Sequence, residues 1–363
     1  MSNSLSVLYI QYFATRVKGI DKPCGEVVLR LLLFIVAVLA TFTVAARTVN
    51  PVGIMNEAED YLTVNPANSI VLLEQIEAPE ELPDNLFLRW HLIMMRASVP
   101  TNQLTRLMDS LEKAFTKQST PYFKNNITSI TSALGIWLRR ERYYQDAQTS
   151  LDCSFKYAQN DRQRLTLTNS MALVAREQGA YKKARNLYAR SKLLAEQMQQ
   201  TPVLAMIENN LGVIALDQGN INEAEQLFRK ALSDYQEIDK RSGKISAGIN
   251  LLFVFVIKEQ VVNYQRLIGP TSKLTAIFPN QSKQALLLWL NARFEQLQGN
   301  EPDDKLKLAL KVAYEELQSD KAKAQVHKYL AEKLNVDVSL PLLPARQRFE
   351  ASWFSVVEAC NWD

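Results

Sequence analysis

Residues 205–232 read AMIENNLGVIALDQGNINEAEQLFRKAL, and their spacing of small, turn and aromatic residues predicts a pair of antiparallel helices. Gly212 and Ala224 are small enough to let two helices approach each other closely. Gly219 can end the first helix, because glycine adopts a positive φ without strain. Phe228 is then placed to fill the space between neighbouring helix pairs.

The same pattern recurs upstream at a period near forty residues. From Leu165, a small residue, a turn glycine and an aromatic residue return at Ala172, Gly179 and Tyr188. A third copy begins at residue 128, with Arg142 where the turn glycine would stand. Self-similarity at a fixed period of this length is typical of a helical repeat array.

These residues resemble the tetratricopeptide repeat family over residues 128–232, and more weakly to about residue 318. The resemblance implies an all-α fold, a right-handed superhelical α-solenoid of antiparallel helix pairs. The low glycine and proline content, 11 and 13 residues, agrees with a helical chain. Atypical end units are expected, because they cap the exposed core.

The chain divides into five predicted parts. They are residues 1–46, an n-region with a signal peptide or signal anchor; 47–127, divergent helical pairs; 128–244, three clear repeats; 245–340, degenerate repeats; and 341–363, a C-terminal capping helix. Outside the clear repeats, helices are predicted over Glu57–Ile76 with a break at Asn65-Pro66, Leu86–Ala97 and Asn102–Thr116 with Pro100 in the turn, Lys305–Leu317, Lys321–Leu334 and Arg346–Glu358.

The N-terminal region carries an export signal. Residues 31–46 read LLLFIVAVLATFTVAA, sixteen residues without a charge, and basic residues outnumber acidic ones before them. This length and flanking charge predict a signal peptide cleaved after Ala46 or a retained signal anchor, with everything after Arg47 outside the cytoplasm. The predicted location is the periplasm, or the inner membrane with the C-terminal part periplasmic. The alternative is a buried apolar helix of a soluble protein.

Three cysteines occur, and only Cys153 and Cys360 follow the apolar segment. A disulfide between them requires that their Cα atoms lie within about 7 Å, which the sequence does not decide. Buried or free thiols are the expected state.

Composition and motifs argue against several functional classes. The net charge of +4 is spread among interspersed acidic and basic residues, so no nucleic-acid partner is expected. His91 and His327 have no Cys or His companion at ligand spacing, so neither a metal nor a cofactor is expected. No phosphate-binding loop, nucleophile elbow or metalloprotease motif is found, and the chain is predicted not to be an enzyme.

The resemblance implies a binding groove lined by the first helix of each pair, which holds a peptide or helix of a partner. The six groove residues carried over are Arg139, Asn169, Arg176, Asn209, Val213 and Phe253. The amides of Asn169 and Asn209, one repeat apart, are expected to bind a peptide backbone or simply to tolerate solvent. The run at residues 251–257, LLFVFVI, is expected to be buried core.

The leading hypothesis is a non-catalytic protein–protein interaction scaffold with a partner in the bacterial cell envelope. The alternative is a periplasmic sensory module that resembles the input region of membrane-bound diguanylate cyclases and lacks their output domain. A cytoplasmic peptide-binding regulator would require the apolar segment to be misread.

Overall fold

The computed structural model describes residues 50–277, 280–340 and 346–362 of the 363-residue chain. The described residues from Met55 onward belong to one compact unit. Within the described ranges every regular element is helical. The predicted export segment, residues 31–46, lies outside them. Among the described residues, no helix combines the length and apolar character needed to cross a membrane.

Short helices open the described chain. They are α1 (Pro51–Tyr61), α2 (Pro66–Leu73), a 3-10 turn (Pro79–Glu81), α3 (Asp84–Thr101), α4 (Leu104–Phe115) and α5 (Pro121–Asn125). The predicted break at Asn65-Pro66 is confirmed, since the Asn65 side chain caps α2 by accepting from the backbone N–H of Asn68.

The predicted position of Pro100 is wrong. It lies inside the last turn of α3 instead of in the turn that follows. Pro100 has no backbone N–H to donate to the carbonyl four residues earlier, and the helix ends one residue later. Asn102, with a φ of 57°, makes the turn.

Five helix pairs follow. They are α6 (Ile127–Arg140) with α7 (Tyr144–Lys156), α8 (Asp161–Glu177) with α9 (Tyr181–Gln197), α10 (Thr201–Asp217) with α11 (Ile221–Glu237), α12 (Arg241–Ile257) with α13 (Val261–Ile277), and α14 (Gln281–Leu297) with α15 (Asp304–Glu315). From the second pair onward the first helices start at 161, 201, 241 and 281, so the forty-residue period continues through the degenerate units. The fourth pair begins at Arg241, so the predicted boundary after residue 244 falls inside α12.

The residue types that predicted the repeat have the expected geometry. Gly219 has a φ of 79° after α10, and Arg142 takes the same left-handed conformation with a φ of 72° after α6. A Cβ atom at Gly212 would lie 2.6 Å from Cε1 of Phe228, so only glycine fits this crossing of α10 and α11. Residues 251–256 are buried, as predicted.

The C-terminal segment does not form the predicted capping helix. Helix α16 (Asp320–Val326) follows the last pair, and among residues 346–362 only α17 (Phe354–Ala359) is helical, packing against α7. The backbone of Phe349 donates instead to the carboxylate of Asp146, at 2.7 Å. The ring of Trp353 stacks on Phe115 with centroids 4.1 Å apart. The free energy gained by burying these aromatic side chains against the N-terminal helices therefore exceeds the free energy of forming a helix in residues 346–353.

Cys153 on α7 and Cys360 after α17 form a disulfide, with Cα atoms 5.5 Å apart across a sequence separation of 207 residues. The expectation of free thiols is wrong. Docking of the C-terminal segment on α7 brings the two cysteines together. The local sequence pattern does not predict that docking.

Candidate functional site

The six predicted groove residues lie on the first helices of the pairs. Arg139 is on α6, Asn169 and Arg176 are on α8, Asn209 and Val213 are on α10, and Phe253 is on α12. We call the surface that these helices present the groove face.

The two predicted asparagines connect neighbouring first helices. The Nδ2 of Asn210 donates to Oδ1 of Asn169 at 3.1 Å, and the Nδ2 of Asn250 donates to Oδ1 of Asn209 at 3.0 Å. The same bond thus recurs one repeat later and fixes the spacing of the first helices. Asn210 and Asn250 were missed, although their forty-residue separation is visible in the sequence.

Arg176 forms a buried ion pair with Asp217 on the next first helix. Its Nε lies 2.7 Å from Oδ2 and its Nη2 lies 3.2 Å from Oδ1. The two side chains are only 11% and 3% exposed. Burial opposes the charge, but the carboxylates of Asp217 and Glu177 outweigh it and hold the pKa of Arg176 above its usual value. Arg176 is therefore part of the stack, with its guanidinium already paired.

A segment of the same chain crosses the groove face. Helix α16 (Asp320–Val326) continues as a π-helical turn (His327–Ala331), within the predicted helix at residues 321–334. We call residues 320–333 the strap segment. Its polar and aromatic contacts are Asp320 with Arg142 (3.0 Å), Lys321 with the hydroxyl of Tyr181 (3.1 Å), Gln325 with Asp217 (2.6 Å), Tyr329 with Phe253 (ring centroids 6.1 Å), and the Lys333 carbonyl with Gln296 (2.7 Å).

These contacts follow the order of the repeats, from the end of α6 to the end of α14. Val326, Leu330 and Ala331 of the strap segment are buried in the same hydrophobic core as Leu216 and Phe253. Phe253 is only 2% exposed, so this predicted groove residue is not open to a partner while the strap segment is in place. Val213 is half-buried and packs on the same core.

A helix was predicted over Lys321–Leu334. The sequence did not predict where that helix would lie, because an apolar stripe alone does not specify which surface covers it.

A cleft of about 450 Å³ remains open beside the first residue of the strap segment. Its lining includes Arg139, Arg140, Arg142, Glu177 and Asp320. Burial, followed by the charge of Arg139, lowers the pKa of Arg140 to about 10. Burial also lowers the pKa of Arg139.

Arg140 donates to two neutral acceptors, Asn102 Oδ1 at 2.9 Å and the Val99 carbonyl at 3.0 Å. Within the described part of the chain, Arg139 has no ion pair closer than 4 Å. Both guanidiniums remain charged at neutral pH, and an acidic group entering the cleft would find cations that lack close carboxylate partners.

The described residues contain no group of three or more His, Cys, Asp or Glu side chains arranged to hold a metal ion. His91 lies buried on α3, and His327 lies in the strap segment.

Comparison with known proteins finds a family match over part of the chain. Residues 163–237 match the tetratricopeptide repeat model. No curated protein matches the sequence.

Two solved structures are similar to the chain. One is a Rap protein complexed with competence and sporulation factor, with 14% identity, coverage of 78% of this chain and 96% of that chain, and a TM-score of 0.44. The other is aspartyl phosphate phosphatase F from Bacillus subtilis, with 9% identity, coverage of 90% and 99%, and a TM-score of 0.51. At such low identity the second likeness shows the fold alone. With its forty-residue period, paired helices and the match over residues 163–237, the chain is a tetratricopeptide-like helical repeat protein.

Proposed function

We propose that this protein is an exported, non-catalytic scaffold that binds a helical segment of a protein partner on its groove face, in place of the strap segment. Tetratricopeptide-like repeat proteins act in protein–protein interaction, and their fold is generally a non-catalytic scaffold. The observation that carries the proposal is the strap segment itself. A single helical stretch contacts the groove face from α6 to α14, so the face has the shape and chemistry to hold a helix.

The contacts of the strap segment indicate the chemistry of the partner. An acidic residue pairs with Arg142, an amide bonds Asp217, and an aromatic ring meets Phe253. A partner helix with the same order of groups would reproduce these contacts. It could add a second carboxylate for Arg139, which the strap segment leaves without a close ion pair. The favoured partner is an amphipathic helix with an acidic N-terminal end.

The proposed location is the periplasm or the outer face of the inner membrane, with a partner in the cell envelope. The uncharged segment at residues 31–46 supports export. The Cys153–Cys360 disulfide also supports it, because structural disulfides persist mainly in oxidising compartments.

Location is tested by expressing the full chain in a bacterial host, fractionating the cells and determining the N-terminus of the product. We expect either a soluble periplasmic product that begins at Arg47 or an intact chain in the inner membrane. A cytoplasmic product would contradict the export proposal.

Binding is tested with a photo-crosslinking amino acid at Tyr144. This residue lines the 450 Å³ cleft that also contains Arg139 and Arg140. The matched control places the same amino acid at Gln226, an exposed residue of the second helix α11. We expect one envelope protein to crosslink at Tyr144 and not at Gln226, through a segment with acidic residues. Equal crosslinking at both positions, or none at Tyr144, would contradict the proposed use of the groove face.

A further inference from the structure

A second cavity lies away from the groove face, between the 3-10 turn at Pro79–Glu81 and helices α3 and α4. Its volume is about 430 Å³, within the range of small-molecule sites in proteins. Three of its lining residues, Phe87, Trp90 and Met94, are large and apolar. A cavity with this lining suits a compact apolar body such as an aromatic ring or a branched aliphatic chain.

His91 lines this cavity and has an unusual environment. Its side chain contacts the rings of Phe87 and Trp90 edge-on, at centroid distances of 4.5 and 4.8 Å. The residue is 6% exposed, and its Nδ1 has no hydrogen-bond partner among the described residues. Burial, followed by the charge of Lys113, lowers the pKa of His91 to about 4. The imidazole that lines the cavity is therefore neutral at pH 7.

The rim of the cavity carries charges of both signs. Lys113 supplies a cation, and Glu80 and Asp109 supply carboxylates. Within the described residues none of these three forms an ion pair closer than 4 Å, whereas the fourth charged rim residue, Arg106, is paired with Glu74. Unpaired charges of opposite sign at one rim suit a ligand that itself carries both charges.

We infer that this cavity binds a free amino acid with an aromatic or branched aliphatic side chain. The ligand's side chain lies among Phe87, Trp90 and Met94. Its carboxylate faces Lys113, and its ammonium group faces Asp109. The site is separate from the groove face and goes beyond the proposed scaffold function. Small-molecule binding is also what a sensory input module would require.

The test is isothermal titration of the full chain with phenylalanine and leucine. The comparison ligands are glycine, which lacks the apolar body, and phenylacetate and phenethylamine, which each carry one charge. We expect saturable binding of phenylalanine or leucine, and binding weaker by about tenfold or more for each comparison ligand. Equal binding of a singly charged ligand would overturn the assignment of a zwitterion, and no binding of either amino acid would overturn the site.

Two surface variants locate the binding. Lys113→Gln and Asp109→Asn change exposed rim residues, and each is expected to weaken binding by about tenfold. Glu112→Gln changes an exposed residue of the same helix that does not line the cavity, and it should bind as the unchanged protein does. If both Lys113→Gln and Asp109→Asn bind the ligand as the unchanged protein does, the ligand binds elsewhere and the inference is wrong. Circular dichroism of each variant checks that the fold is retained.

Discussion

Gln325 of the strap segment donates a 2.6 Å hydrogen bond to the carboxylate of Asp217, the same carboxylate that pairs with Arg176. One buried carboxylate thus joins α8, α10 and the strap segment. Because Asp217 is 3% exposed, losing either partner would leave a buried carboxylate with fewer hydrogen bonds. The groove face and the segment that covers it are therefore linked energetically.

The Arg176–Asp217 pair should be essential for stability. Arg176→Met leaves a buried carboxylate without its cation and should lower the free energy of unfolding by about 3 kcal/mol. The double variant Arg176→Met/Asp217→Leu should recover part of this loss, because the Asp217 carboxylate is gone and only Glu177 still lacks its arginine partner. Arg185→Gln breaks a pair whose side chains are 31% and 40% exposed, and it should cost about 0.5 kcal/mol. Urea unfolding measures all three, and equal losses for Arg176→Met and Arg185→Gln would contradict the prediction.

The close crossing of α10 and α11 should not tolerate a methyl group at Gly212. Gly212→Ala places Cβ against the ring of Phe228 and should destabilise the protein by about 2 kcal/mol. Gly269→Ala on α13 meets no atom within 4 Å other than those of its chain neighbours, so only the restraint that Pro270 places on residue 269 opposes it and it should cost less than Gly212→Ala. Thermal unfolding of the two variants distinguishes steric crowding from helix propensity. A stable Gly212→Ala protein would show that the helices can separate at no cost.

The disulfide should stabilise the docked C-terminal segment. Removing it in the Cys153→Ala/Cys360→Ala variant should lower stability by about 3 kcal/mol. Reductant should lower the melting temperature of the unchanged protein and leave that of the variant unaltered. Labelling of both thiols in the protein purified without reductant would contradict the pairing.

His91 should make stability depend on pH. Its pKa is lowered to about 4 in the folded protein, against about 6.5 in the unfolded chain. The unfolded chain therefore binds more protons between these values, and stability is complete above about pH 6.5 and declines as the pH falls toward 4. His91→Phe should remove about 2 kcal/mol of this decline. Urea midpoints at pH 7.5 and 4.5 measure it, and parallel pH curves for the two proteins would exclude His91 as the cause.

The repeats could be predicted from the sequence because their determinants are local. Gly212 with Phe228, and the left-handed turn at Gly219, lie within one forty-residue unit and recur in the next. Even Arg142 could be assigned to a turn position by register alone. Local residue types were enough to fix the pairing of helices.

The strap segment and the C-terminal segment could not be placed in this way. Gln325 meets Asp217 across 108 residues, and Cys360 meets Cys153 across 207. Neither contact recurs at the repeat period, so the periodicity of the sequence does not predict it. The groove residues were assigned to the correct helices, but a predicted open position such as Phe253 is covered by a segment whose docking only the three-dimensional structure reveals.

The most direct test of the groove face uses a labelled peptide of residues 318–336 added to the full chain. The variant Gln325→Ala/Tyr329→Ala weakens the strap segment at two of its contacts, and Glu332→Ala, an exposed residue of the same segment, is the control. Fluorescence anisotropy should show saturable binding of the peptide to the double variant and about tenfold weaker binding to the control and the unchanged protein. Failure of the peptide to bind the double variant, or equal binding to all three proteins, would contradict the claim that the groove face holds an exchangeable helix.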